Sequence, residues 1–273
     1  MSTIINKGKV IIAGAGPGDP ELVTLKTLRY LQEADVVLTD RLVSDEILNS
    51  YVNPRAEIIY VGKQCRKGSS TPQATINELM VEHASNNKIV VRLKGGDVSV
   101  FSNVLDELET LVSNKIPYEI IPGVTAALGA AAYAGIPLTA RGYSTAVRFV
   151  TYYRTDVVTE EYWKELAATN DTIVFYMSAE TLGSVVKNLL VHGISNDKKL
   201  AVIGQATTPE QQIRIYNLRN FSEQDYISPT IAIIGRVVEL AEKFSWLTNN
   251  ENPKEYFKAS ASRVTPHEKT FKI

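Results

Sequence analysis

Cysteine is nearly absent from this sequence, and histidine is scarce. Cys65 is the single cysteine in 273 residues, which excludes an internal disulfide framework and a metal site built from several cysteines. The three histidines, His83, His192 and His267, are far apart along the chain and lack the short spacing of metal ligands. We therefore predict that the protein has no metal site and works in a reducing compartment, the cytoplasm.

Long apolar runs and an excess of one charge are also missing. No apolar stretch reaches the roughly 18 residues that a membrane-spanning helix needs, and the N-terminus lacks the apolar core of a secretory signal. Lys and Arg number 29 against 30 Asp and Glu, so the chain has no general attraction for nucleic acid or an anionic membrane. We expect neither of those partners, and an acidic ligand would need a local cluster of cations.

What is present in the first half is an alternation of apolar strands with helical segments. The strands are predicted at KVIIAGAG (9–16), DVVLTD (35–40), AEIIYVG (56–62), KIVVRLKGGD (88–97) and PYEIIPG (117–123). Helices are predicted over 20–34, 71–87 and 104–116. This alternation predicts a mainly parallel sheet covered on both faces, in an N-terminal α/β domain of residues 1–123.

The second half has more strand and fewer helical connections. A helix rich in small residues, VTAALGAAAYAGIP, comes first, and the strands AVRFVTYY, DTIVFYM, KLAVIGQAT, QQIRIYNL and PTIAIIG follow. One further helix, AETLGSVVKNLLVHG, ends at Gly193, which suits a C-cap. We predict a second α/β domain over 124–247 with a mixed sheet, and a polar, mobile tail over 248–273.

The turn of residues 14–20, GAGPGDP, follows the first strand as a dinucleotide-binding turn would. That fingerprint needs three glycines opening a helix whose amides hold the pyrophosphate. Here Pro17 and Pro20 each remove an N–H, and Asp19 adds a negative charge. The turn therefore opposes phosphate binding and suits close approach of the backbone to another ligand. A simple chain reversal before a helix capped by Asp19 or Thr24 is the alternative.

Other unusual residues also stand where predicted strands end. Because the carboxyl ends of parallel strands meet at one edge of a sheet, these residues are expected to lie together as a binding site. A carboxylate near a lysine is also common as a plain surface ion pair, which is the alternative. The residues concerned are Asp40, Arg41, Lys63, Gly95, Gly96, Asp97, Thr125 and Ala126.

Five motifs in a fixed order carry a family resemblance. GAGPGDP with a following DRLV, then YVGK, VVRLKGGD, IPGVTAALGAAAYAGIPLT and VFYM lie between Lys9 and Trp246. In this order they resemble the tetrapyrrole methylases, and among them the uroporphyrinogen-III C-methyltransferases. The resemblance implies two α/β domains of that type, with cofactor and substrate in the cleft between them, and a homodimer. It also implies S-adenosylmethionine as the methyl donor, S-adenosylhomocysteine as its product, and methylation of rings A and B of uroporphyrinogen III to precorrin-2 for sirohaem or cobalamin.

The resemblance also assigns roles to residues of this sequence. Asp40 matches the general base of the family and Lys63 its acid, while Arg41 and Arg141 are the favoured contacts for the carboxylates of the acceptor. Further candidate cations are Arg66, Lys67, Arg148 and Arg154. Residues expected to contact the donor are Pro17, Gly95, Gly96, Asp97, Val100, Thr125, Ala126, Met177, Ala206 and Thr230.

The sequence departs from the family pattern where acceptor contacts are expected. Residues 98–107, VSVFSNVLDE, replace the common PFxFGRGGEE, and Thr139-Ala140-Arg141 replaces T-H-R. A methylase acting on a later precorrin is therefore kept as an alternative. Two rivals of other classes are an NAD-dependent dehydrogenase and a donor-binding protein without turnover.

Overall fold

The chain divides into two units, with the division between Thr125 and Ala126. The junction predicted from the sequence lies two residues earlier, after Gly123. The second unit is Ala126–Tyr256. The computed structural model describes residues 8–62, 71–152 and 158–257.

The first unit is built on a sheet of parallel strands in the order β3-β2-β4-β1-β5. The strands are β1 (Lys9–Gly14), β2 (Val36–Thr39), β3 (Glu57–Tyr60), β4 (Ile89–Lys94) and β5 (Tyr118–Ile121). The helices are α1 (Leu25–Glu33), α2 (Asp45–Tyr51), α3 (Gln73–Ser85) and α4 (Leu105–Ser113). The predicted parallel sheet is confirmed. Helix α2 was not predicted.

Alternate side chains of β1 enter two separate cores. Ile11 and Ala13 pack in the core that also contains side chains of α1 and α2, whereas Val10 and Ile12 pack with side chains of α3 and α4. Successive side chains of a strand point to opposite faces, so a strand covered on both sides is apolar at every position. This arrangement explains the uninterrupted apolar run of β1 and leaves its carboxyl end as the place for polar chemistry.

The helix predicted over 20–34 is interrupted. A single 3-10 turn, Pro20–Leu22, begins after Asp19, whose carboxylate accepts from Glu21 N at 2.8 Å. Helix α1 begins only after Thr24, whose hydroxyl accepts from Thr27 N at 3.2 Å. Both residues named as possible caps therefore cap a helical segment, as hydroxyl and carboxylate oxygens do for the free amides of a first turn.

The second unit has a mixed sheet, as predicted, and the order of its strands is β6-β7-β10-β8-β9. Strand β10 is antiparallel to both β7 and β8, while β6 and β7 are parallel. The strands are β6 (Val147–Thr151), β7 (Thr172–Tyr176), β8 (Lys199–Gly204), β9 (Gln212–Asn217) and β10 (Thr230–Gly235). The helices are α5 (Ala126–Tyr133), α6 (Glu160–Ala168), α7 (Leu182–Val191) and α8 (Ala241–Phe244). Helix α6 was not predicted.

The polar segment after residue 248 is attached to the second unit up to Tyr256. Asn249 pairs with edge strand β9 like one more backbone residue: its Oδ1 accepts from Ile213 N at 2.7 Å and its Nδ2 donates to Ile213 O at 3.1 Å. Farther on, Lys254 N donates to Glu210 Oε2 at 2.8 Å. These hydrogen bonds hold residues 249 and 254 in place, whereas the sequence predicted a mobile tail from residue 248. The remainder of that tail, 258–273, lies outside the described residues.

Among the residues that the structure describes, no helix has the length and apolar character needed to cross a membrane.

Candidate functional site

The loops after β1 and β4 are bonded to each other at the carboxyl edge of the first sheet. Gly16 N donates to Gly96 O at 3.1 Å and Gly96 N donates to Gly16 O at 2.7 Å. Ala15 N donates to Lys94 O at 2.8 Å. Gly16 and Gly96 have φ values of 80° and 68°, in the left-handed region that glycine adopts without steric cost. The amides of these two glycines are therefore used within the chain.

The loop after β5 touches the same two loops through backbone atoms. A Cβ on Gly14 would lie 2.6 Å from Gly96 O and 2.7 Å from Gly123 Cα. A Cβ on Gly123 would lie 2.3 Å from Gly96 O. Contacts this short are excluded for a side chain, so glycine is required for the three loops to meet. Glycines of this edge were predicted to allow close approach of a ligand, whereas Gly14 and Gly123 allow contact between loops.

Asp97 fastens this junction. Its Oδ2 accepts from Gly123 N at 2.9 Å and its Oδ1 accepts from Ser99 N at 2.8 Å and from the Ser99 hydroxyl. Burial alone raises the pKa of the Asp97 carboxyl, but these hydrogen bonds outweigh burial and lower it below its ordinary value. Asp97 was predicted to contact the donor. Both of its oxygens already bind groups of the chain, which makes it the connector of the β4 and β5 loops.

The structure brings the predicted donor residues of the first unit to neighbouring strand ends. They follow β1, β4 and β5, which are adjacent in the sheet. Pro17 and Thr125 are buried, whereas Val100 is partly exposed. The set comprises Pro17, Gly95, Gly96, Asp97, Val100 and Thr125.

Asp40 follows β2 at the same edge and retains 27% of its side-chain exposure. Its Oδ1 accepts from Arg92 Nη2 at 2.7 Å. Arg92 Nε donates in turn to Glu107 Oε1 at 3.0 Å, and Lys94 Nζ donates to Glu107 Oε1 and Oε2 at 2.9 and 3.0 Å. Asp40 is thus the outer end of a chain of charges that alternate in sign and continue into the interior.

Sequence reasoning missed Arg92, Lys94 and Glu107. The available signal was two cations spaced two apart in an otherwise apolar strand, since such residues point to the same face of a sheet. Burial alone lowers the pKa of the Arg92 guanidinium, but the carboxylates of Asp40 and Glu107 raise it above its ordinary value. Burial and repulsion by Arg92 lower the pKa of the Lys94 ammonium despite its contact with Glu107.

The candidate acceptor-binding cations differ in their exposure to solvent, and several lie outside the described residues. Arg41 is partly exposed, and the loop after β3 packs on it so closely that a Cβ on Gly62 would lie 2.5 Å from Arg41 N. Arg141 is exposed in the turn between Ala140 and Ser144. Lys63, the predicted acid, lies outside the described residues, as do the cations Arg66, Lys67 and Arg154.

Arg148 is engaged within the second unit. Its guanidinium donates to Asp171 and to Glu165, and these hydrogen bonds raise its pKa. This ion-pair triplet joins β6 to α6 and to the start of β7, so Arg148 is used structurally and is not a free cation for an acidic ligand.

The second unit contains four predicted donor residues: Ala126 begins α5, and the other three lie at one sheet edge. Met177 follows β7, Ala206 follows β8, and Thr230 begins β10, where it pairs with Gly204 at the end of β8. Because β7 and β8 both run antiparallel to β10, the ends of the first two and the start of the third share an edge. The order of these strands in the sheet was not predicted from the sequence.

The same edge has an unusual backbone. Met177 has φ 53° and is 54% exposed, and Gln205 and Thr207 have φ 48° and 66° on either side of Ala206. Left-handed φ is costly for residues other than glycine, most of all for a β-branched residue, and it is retained where the surroundings enforce it. Here Gln211 Oε1 accepts from Thr207 N at 2.7 Å. Such strain at a strand end marks a candidate binding edge.

The geometry of the first loop opposes the dinucleotide alternative. A dinucleotide site needs free amides at a glycine turn that leads directly into a helix. The amides of Gly16 and Gly96 are bonded to each other's carbonyls, and α1 begins at Leu25 with Thr24 as its cap. A ligand held by this edge is therefore one that needs no pyrophosphate cradle.

Comparison with known proteins shows the family of this chain. The family model for Tetrapyrrole (Corrin/Porphyrin) Methylases matches residues 9–222. The siroheme synthase of Vesicomyosocius okutanii subsp. Calyptogena okutanii is 45% identical over 243 residues, 88% of this chain and 52% of that protein. The siroheme synthase of Neisseria meningitidis is 47% identical over 255 residues, 91% of this chain and 52% of that protein. The chain spans about half the length of these curated relatives.

Solved structures agree with the family model. The uroporphyrin-III C-methyl transferase of Thermus thermophilus, complexed with S-adenyl homocysteine, has a TM-score of 0.72 and 34% identity, covering 85% of this chain and 100% of that one. A cobalt precorrin-4 methyltransferase has a TM-score of 0.74 and 27% identity, covering 87% of this chain and 99% of that one. The resemblance found in the motifs is thereby confirmed, and the chain belongs to the tetrapyrrole (corrin/porphyrin) methylases.

Proposed function

We propose that this chain is an S-adenosylmethionine-dependent C-methyltransferase that methylates rings A and B of uroporphyrinogen III and releases precorrin-2. The observation that carries the proposal is the junction of three strand-end loops beside Asp40, in a chain similar over its length to a uroporphyrin-III C-methyl transferase. The siroheme synthase relatives support the sirohaem branch, with cobalamin as the second use of the same product.

The residues present fit this donor. S-adenosylmethionine has no phosphate, so a turn whose glycine amides are already bonded and whose prolines lack N–H groups loses nothing by binding it. Small residues and backbone carbonyls at the edge suit hydrogen bonds to adenine and to the aminoacyl group. When bound, the donor supplies an electrophilic methyl group on a positive sulfonium. We assign its binding to Pro17, Gly95, Gly96, Val100, Thr125, Ala126, Met177, Ala206 and Thr230, with Asp97 holding the loops.

Asp40 is assigned as the group that accepts a proton from the acceptor. Carbon methylation of an electron-rich pyrrole forms a new C–C bond, and the macrocycle must then lose a proton. A carboxylate that is partly exposed and anchored through one oxygen is suited to take it. Lys63 is assigned as the acid on the resemblance alone.

The acceptor has eight carboxylates, and Arg41 and Arg141 are proposed to bind some of them because a guanidinium pairs with a carboxylate in a forked geometry. We also propose a homodimer working in the cytoplasm, on the resemblance to the family.

A second candidate is methylation of a later precorrin. The segment after Asp97 differs from the common family pattern, and it has Phe101, 42% exposed, at φ 51° and Asn103 at φ 55°. The likeness to a cobalt precorrin-4 methyltransferase gives this candidate a substrate class to test.

The experiment is a methyl-transfer assay with purified protein, donor and either uroporphyrinogen III or a later precorrin. We expect S-adenosylhomocysteine and a mass gain of two methyl groups on uroporphyrinogen III alone. Asp40→Asn is expected to lower kcat by about 100-fold, the low end for a general base, because alignment of the reacting atoms supplies most of the rate.

The matched control is Asp45→Asn, an exposed carboxylate in the first turn of α2, which is expected to leave kcat unchanged. Transfer only to a later precorrin would establish the second candidate. Binding of S-adenosylhomocysteine without transfer to either acceptor would identify a donor-binding protein, and stabilisation by nicotinamide cofactors alone would restore the dehydrogenase hypothesis.

A further inference from the structure

Behind Asp40 the first unit buries three charged side chains that the proposed chemistry does not use. The side chains of Arg92, Lys94 and Glu107 are 3%, 5% and 0% exposed. Transfer of charges out of water is expensive, and a buried ion pair repays that cost only with good geometry and further hydrogen bonds. The hydrogen bonds of Arg92, Lys94 and Glu107 therefore indicate which part of the site these buried charges stabilise.

The Arg92 guanidinium is fixed through all three of its nitrogens. Nη2 donates to Asp40 Oδ1 at 2.7 Å and Nε donates to Glu107 Oε1 at 3.0 Å. Nη1 donates to the carbonyls of Leu38 and Leu93 at 3.4 and 3.3 Å. A planar fork held on three sides has one orientation, which a lysine ammonium in its place would not reproduce.

Lys94 holds the inner end of the same chain. Its ammonium contacts both oxygens of Glu107, so that carboxylate is clamped and cannot turn away from Arg92. This pair is electrically neutral and joins β4 to α4, as the contact between Arg92 and Glu107 also does. The contact between Arg92 and Asp40 does not join β4 to α4. It holds the Asp40 carboxylate.

We propose that Arg92 is a positioning residue for Asp40, and that Glu107 and Lys94 fix Arg92 in the orientation this requires. The carboxylate is then held by one oxygen at the end of β2, in the same place before and after the acceptor enters. This inference rests on the proposed function, in which Asp40 accepts the proton.

The test measures steady-state kinetics of Arg92→Met and Arg92→Lys in the full chain, with S-adenosylmethionine and uroporphyrinogen III. Arg92→Met leaves the Lys94–Glu107 pair neutral and frees Asp40. We expect kcat to fall about 10- to 100-fold, because small displacements of a catalytic group are costly, while KM for both substrates and Kd for S-adenosylhomocysteine change by less than about twofold. Arg92→Lys, which keeps the charge in place if Arg92→Met does not fold, is expected to lose about tenfold in kcat.

A double-mutant cycle separates positioning from stability. If Arg92 acts through Asp40, adding Arg92→Met to Asp40→Asn lowers kcat by no more than about twofold beyond Asp40→Asn alone. The matched control is Lys198→Met, which removes another lysine that is 3% exposed and donates to the carbonyls of Ala167 and Thr169. It is expected to lower the melting temperature with kcat unchanged.

Folded Arg92 variants with wild-type kcat, or multiplicative losses in the cycle, would overturn the inference while leaving the proposed function intact. A wild-type protein that transfers no methyl group to uroporphyrinogen III overturns the proposed function and this inference with it.

Discussion

Replacing Gly123 by alanine tests whether the three-loop junction holds the donor. The new Cβ would lie 2.3 Å from Gly96 O, whereas ordinary contacts of a Cβ begin at about 3.4 Å. The loops after β4 and β5 must therefore separate by about 1 Å. Overpacking of this kind costs roughly 1–3 kcal/mol of unfolding free energy.

The same displacement moves the loops that carry most of the donor residues assigned to the first unit. We expect Kd for S-adenosylhomocysteine to rise at least about tenfold, which corresponds to about 1.4 kcal/mol of binding free energy. Isothermal titration calorimetry measures the affinity, and urea unfolding measures the stability of the same preparation.

Gly235→Ala is the matched control. Gly235 ends β10 with φ 162°, an extended conformation open to any residue, and its added Cβ would lie 3.5 Å from the nearest atoms of Thr172. Wild-type affinity is expected for this variant. If Gly123→Ala binds S-adenosylhomocysteine as tightly as Gly235→Ala does, the junction does not hold the donor and the reasoning fails.

Three further predictions follow from single side chains. Asp97→Asn is expected to lower the unfolding free energy at pH 7 by roughly 1–3 kcal/mol. Since the folded-state pKa of Asp97 is lowered, its contribution is complete above the unfolded pKa of about 3.9 and is lost as pH falls through the folded-state pKa, below which the two proteins should converge in urea unfolding. The Asn188 carbonyl and the Glu160 carboxylate raise the pKa of His192 above 6.5. The stabilising effect of the protonated ring is therefore complete below pH 6.5 and is lost as pH rises through the folded-state pKa. NMR titration of the ring should show the raised midpoint, and an unshifted midpoint would contradict the contact. Met177→Gly relieves a left-handed φ and is expected to leave stability unchanged or raise it by up to about 1 kcal/mol, while Kd for S-adenosylhomocysteine rises; unchanged affinity would remove Met177 from the donor site.

The first sheet was predictable because buried parallel strands leave a strong signal. Strand β1 packs on both faces, so its residues form one apolar run bounded by glycine. Each of the other strands of this sheet lies inside the segment predicted for it. Helices α2, α6 and the four-residue α8 were missed. Helix α6 buries only Trp163, Leu166 and Ala167 within nine residues, which is a short pattern among charged neighbours.

The candidate site was predictable as a set of loops but not as a set of contacts. The strand ends identify which residues share an edge, since that follows from parallel topology. Which group partners a given charge depends on packing between elements distant in sequence, so the roles of Arg92 and Glu107 and the bonds of Asp97 required the folded chain. Likewise, the sequence does not distinguish a glycine that contacts a ligand from a glycine that contacts another loop.

The alternation of sign along Asp40, Arg92, Glu107 and Lys94 restricts how this part of the chain can vary among homologues. A substitution that neutralises Glu107 or Lys94 alone leaves an unmatched ion in the interior, whereas removal of both together leaves the Asp40–Arg92 pair balanced. The charges at positions 94 and 107 should therefore be lost together in related sequences, as a covariation between these two positions.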